Sequence, residues 1–102
     1  MAKLVRGTTP TFVLTLPFNA EAITILSVAF AQNGTVVVNK NLNNVTVSGK
    51  QITLTLDEDE TLLFDDTTDI EIQLRCGINE KRYASCIMKC SVEGILVEGV
   101  LS

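Results

Sequence analysis

Histidine and tryptophan are absent from this chain, and tyrosine occurs once. Without an imidazole it lacks both the commonest general base and the commonest metal ligand. With so few aromatics there is no platform for a sugar, which argues against paired-carboxylate hydrolysis of glycosides. No apolar run approaches the roughly 20 residues that a membrane-spanning helix needs, so no membrane partner is expected. The first residues, Met-Ala-Lys-Leu-Val-Arg-Gly, carry charge but no apolar core segment, so no secretory signal is expected there. The eight basic residues are scattered along a chain of net charge −4. No basic stripe can follow a phosphate backbone, and nucleic acid is not an expected partner.

What is present is alternation. Phe12, Leu14 and Leu16 predict a strand at about 11–16, ended by Pro17. Asn19 then caps a single helical turn near 19–23. Leu26, Val28 and Phe30 predict a strand over about 24–32. Asn33-Gly34 is a strong hairpin signal, because both central residues of a type I′ turn need positive φ. Thr35–Lys40 is the return strand, with Val36 and Val38 read on one side. A polar connection, Asn41–Asn44, leads to Val45 and Val47. Gly49-Lys50 turns the chain into Ile52, Leu54 and Leu56. Asp57 with Glu60 has the spacing of a capping-box variant before a short helical piece over 58–64. Ile70, Ile72, Leu74 and Cys76 form a sixth strand. In a seventh, Cys86, Met88, Cys90 and Val92 share one face, and Tyr83, Ser85 and Ile87 the other. The pattern implies one all-β domain over 1–102, an immunoglobulin-like β-sandwich of about seven strands with one or two helical turns.

Two clusters invite chemistry. Cys86 and Cys90 point the same way on one strand but sit about 13 Å apart along it, too far for a disulfide or a zinc site. Buried free thiols are the expectation, and a catalytic cysteine would lack its imidazole. Eight of the twelve acidic residues fall within 57–71 with no basic residue among them. Their spacing does not match an EF-hand loop, and a capped turn followed by a solvated loop accounts for them. No catalytic, metal or cofactor site is expected.

Several segments together carry a resemblance: Arg6-Gly-Thr-Thr-Pro-Thr-Phe12, Thr15-Leu-Pro-Phe18, Phe30-Ala-Gln-Asn-Gly34, Glu60-Thr-Leu-Leu-Phe64, Ile72-Gln-Leu-Arg75 and Ile95-Leu-Val-Glu-Gly-Val100. The chain resembles small proteins encoded in the structural-gene regions of phages and prophages of Gram-positive bacteria. It is also loosely similar to the amino-terminal β-sandwich domain of phage baseplate upper proteins. The resemblance implies a virion or tail-associated structural protein, made in the bacterial cytoplasm and working through contacts with other virion or tail proteins. A non-catalytic module for carbohydrate or calcium is the second expectation.

Beyond the last strand lie Ile95, Leu96, Val97, Val100 and Leu101. These residues are the candidate assembly surface, and homo-oligomerisation is the matching expectation. The alternative is that they fold back as an eighth strand of the same sandwich.

Overall fold

The computed structural model describes residues 2–101, with the side chain of Ala2 left outside that description. The all-β sandwich expected from the alternation is present, with nine strands in two sheets among the described residues. They are β1 (Ala2–Val5), β2 (Thr11–Thr15), β3 (Ile25–Gln32), β4 (Thr35–Asn41), β5 (Thr46–Ser48), β6 (Gln51–Thr55), β7 (Ile70–Ile78), β8 (Lys81–Ala84) and β9 (Met88–Glu93). The larger sheet runs β1-β9-β7-β3-β4, with β8 also paired to β7, and the smaller sheet runs β2-β6-β5.

Period-2 burial drives the packing. In β3, Leu26, Val28, Phe30 and Gln32 point inward while the intervening residues face out. Ile52 and Leu54 of β6 meet them from the smaller sheet. Phe12 of β2 packs on Phe30 at a centroid separation of 5.5 Å, and Phe30 on Phe64 at 6.4 Å. Tilted rings at such distances join the two layers through the middle of the core.

The turns follow their residues. Asn33 and Gly34 take φ of 51° and 78°, the pair of left-handed conformations a type I′ hairpin requires. Asn19 caps a 3-10 turn at Ala20–Ala22. The Asn41–Asn44 connection forms a second turn with a reciprocal cap. Helix α1 (Glu58–Leu62) carries the expected box: the Glu60 N–H donates to Asp57 Oδ1 at 2.7 Å, and the Asp57 N–H to Glu60 Oε1 at 2.9 Å. The buried Thr61 hydroxyl donates to the Thr8 carbonyl, tying α1 to the segment that leads into β2.

Three expectations need correction. First, β1 has no counterpart among the expected strands; it pairs in parallel with β9, its four residues are too few to show an alternation, and of Lys3, Leu4 and Val5 only Leu4 is buried. Second, the register shifts between Phe30 and Ala31, so that Val38 opposes Phe30 while Val36 opposes Ala31. The extra residue in β4 rotates Val36 outward, and Val36 and Val38 do not share a side.

Third, the expected seventh strand is two strands. Cys76 opposes Tyr83 and Arg75 opposes Ala84, whereas Ile72 opposes Met88 and Ile70 opposes Cys90. One more residue lies on the 84–88 side than on the 72–75 side. At this bulge the Ser85 N–H still donates to the Leu74 carbonyl at 2.8 Å, and the Ser85 Oγ, in place of a backbone carbonyl, accepts from the Leu74 N–H at 3.0 Å. The phase therefore flips, and Tyr83 shares the inward side with Met88 and Cys90. Cys86, expected in the core, is exposed, while Cys76 and Cys90 are buried free thiols. Burial pushes both buried thiols above the usual cysteine range, and for Cys90 the neighbouring Asp69 charge adds to the effect.

Candidate interaction surface

The expected assembly residues follow β9 as an irregular strap and add no strand to either sheet. Ile95 is the member that packs inward, its Cδ1 lying close over Gly7 beside Leu62. Gly7 has φ of 75°, and a Cβ there would stand 3.1 Å from Ile95 Cδ1. Past Ile95 the strap is held by polar contacts. Arg6 Nη1 bridges to Glu98 at 2.6 Å while its Nη2 donates to the Leu62 carbonyl at 2.9 Å. The Leu101 N–H donates to Glu58 Oε2 at 2.6 Å.

Between and beyond these anchors the apolar side chains point to solvent. Leu96 is fully exposed, Val97 is 84% exposed, Leu101 88% and Val100 53%. Leu63, at the end of α1, is exposed as well. Exposed apolar residues scattered singly are ordinary, but four within the six residues 96–101 are a local concentration. The structure thus separates the five expected residues into one anchor, Ile95, and four that are presented outward.

The acidic segment is occupied with local tasks. Asp57 and Glu60 cap α1, Glu60 pairs with the largely buried Lys40 at 2.7 Å, and Glu58 holds the strap. Asp65 accepts from both the side chain and the backbone N–H of Thr67, which lowers its pKa below the usual carboxylate value. Asp66 lies against Gly94 where a Cβ would sit. Among the described residues no group of three or more cysteine and carboxylate side chains is arranged to hold a metal ion.

A second feature was not legible in the sequence. On one flank, β2 faces the β8–β9 segment across a groove formed by two adjoining cavities of about 260 and 270 Å³. Both are lined by Thr15, Leu16, Leu74 and Ser85. Met88 and Cys86 line one end, and Phe18 and Tyr83 the other. The two rings, 5.0 Å apart between centroids, close that end. The groove exists because β2 pairs only with β6 and β8 only with β7 among the described residues, leaving two strand edges facing each other. Pairing partners, not residue types, create it, and no local sequence signal marks such a place.

Comparison of the chain with protein-family models, curated proteins and solved structures found no match.

Proposed function

We propose that this chain is a non-catalytic assembly module, a structural protein of a phage-type virion, tail or baseplate that works through protein–protein contacts. The observation that carries the reading is the strap: four large apolar side chains held in solvent by ion-pair and hydrogen-bond anchors on either side. Fully burying an exposed one is worth about 1.5–3 kcal/mol, so Leu96, Val97 and Leu101 supply roughly 4.5–9 kcal/mol before costs, and the half-exposed Val100 adds less. Association consumes about 4–15 kcal/mol of that in lost freedom, so one strap supports a weak contact and repeated straps a firm one. Particles built from many copies use contacts of that strength. The resemblance to small proteins of phage structural-gene regions supports the same class.

The test is mass spectrometry of particles induced from the strain that encodes the chain. The protein is expected in the purified tail or baseplate fraction, at a stoichiometry comparable with other structural components. Its absence from purified particles refutes the reading.

A further inference from the structure

The molecule is elongated, 45 Å along its longest axis against 28 and 20 Å. The surroundings of β7 differ in charge from one end of the strand to the other. β7 begins at Ile70, beside the acidic 57–69 region and the strap, and ends at Ile78, where the hairpin to β8 carries Lys81 and Arg82. Asp57, Asp59 and Asp66 lie toward the first end, where Asp66 meets Gly94 of the strap and Glu98 is paired with Arg6; Arg75, Lys81 and Arg82 lie toward the other, where Glu80 offsets one of the three positive charges. The acidic end presents Leu96 and Val97, fixed between the Ile95 and Glu98 anchors. The basic hairpin continues into the apolar groove, through Tyr83 to Ser85 and Met88.

From these placements we infer that the Leu96–Val97 tip of one copy seats in the β2/β8–β9 groove of a second copy, head to tail. This rests on the assembly reading above and names its partner: another copy of this chain. The groove is a pair of adjoining, mainly apolar depressions that share Thr15, Leu16, Leu74 and Ser85, and the tip has two adjacent aliphatic side chains exposed to solvent. Anchors on both sides hold the tip in place before contact, so little freedom remains to be lost on docking. Opposite charges at the two ends favour encounter in this orientation over like-end pairing. Such a contact is heterologous, since tip and groove are different surfaces, and it generates a ring or an open row rather than a closed two-fold dimer.

The experiment uses the full chain in sedimentation velocity over a wide concentration range, with two complementary blocks. The double variant L96D/V97D spoils the tip at solvent-exposed positions and leaves the groove intact. Alkylation of Cys86, the exposed thiol, obstructs the Cys86–Met88 end of the groove and leaves the tip intact. The unmodified chain is expected to associate, each blocked form to run as a monomer, and an equimolar mixture of the two to form a heterodimer. In a Val97→Cys variant, mild diamide oxidation is expected to join the introduced thiol of one copy to Cys86 of another, and Cys86→Ser to abolish the link. Association that survives Cys86 alkylation, or a mixture that remains monomeric, overturns the tip-in-groove contact. An unmodified chain that stays monomeric at every concentration overturns it too. The virion reading is tested separately, by presence in purified particles, so a monomeric chain that is nevertheless a particle component refutes this inference alone.

Discussion

Gln32 ends β3 as one of the few buried polar side chains, and it fixes the acidic loop to the core. Its Nε2 donates to the carbonyls of Asp65 at 2.7 Å and Thr68 at 3.0 Å, and its Oε1 accepts from the Asp65 N–H at 2.8 Å. Replacing it with methionine keeps the length and removes all three bonds. At about 0.5–1.5 kcal/mol net for each, the loss is about 1.5–4.5 kcal/mol. That is a large share of the roughly 5–15 kcal/mol a domain holds in total. For a chain of this size, at about 4–8 °C per kcal/mol, it corresponds to a fall in melting temperature of roughly 6–36 °C. Gln32→Glu separates polarity from charge. Its carboxylate would face two carbonyl oxygens, and burial among acceptors raises its folded-state pKa above the unfolded value of about 4.3. A raised folded-state pKa means that stability is retained at low pH and lost as pH rises through that value. Relative to wild type at the same pH, Gln32→Glu should therefore melt closer to normal in acid than at neutrality. Calorimetry of the three proteins at both pH values decides the matter. If Gln32→Met lies within about 0.5 kcal/mol of wild type, the range of ordinary surface substitutions, the clamp contributes nothing and the reasoning fails.

Glu60 caps α1 and pairs with Lys40, so Glu60→Ala should cost about 1–2 kcal/mol by urea denaturation, and Glu60→Gln, which keeps an acceptor for the Asp57 N–H, should cost less; equal losses would remove the cap from the explanation. Gly34 sits at φ of 78° with open space around it, so Gly34→Ala should cost about 1–2 kcal/mol from backbone conformation alone, read as a lower denaturation midpoint. In the native protein a thiol reagent should label one cysteine quickly, Cys86, with Cys76 and Cys90 reacting only on unfolding; fast labelling of three would contradict the burial of Cys76 and Cys90, and a slow Cys86 the bulge at Ser85. The raised pKa of Cys76 and Cys90 contributes stability that is complete below the unfolded thiol value and declines as pH rises past about 8.5 toward the folded value. A melting temperature falling over that alkaline range, and falling less in Cys76→Ala, is the expected result.

Period and punctuation alone determined that this chain is a β-sandwich, where most of its strands lie, and how its turns are made. Those properties are local: side chains two apart share a face, Asn33-Gly34 accepts positive φ, and Asp57 reaches the N–H of Glu60 three residues on. The apolar strap was visible for the same reason, as a hydrophobic run beyond the last strand. Tertiary structure decided what depends on partners distant in sequence. β1 is a strand because β9 offers its edge, which four residues cannot announce. Cys86 lies outside the core because one extra residue opposite β7 reverses the phase, and a one-residue shift moves every following side chain to the other face. Whether Ile95 is anchored and Leu96 exposed depends on where Gly7, Leu62 and Arg6 come to rest. The groove between β2 and β8 depends on which strand edges stay unpaired among the described residues, a property of the sheet order and of no single residue.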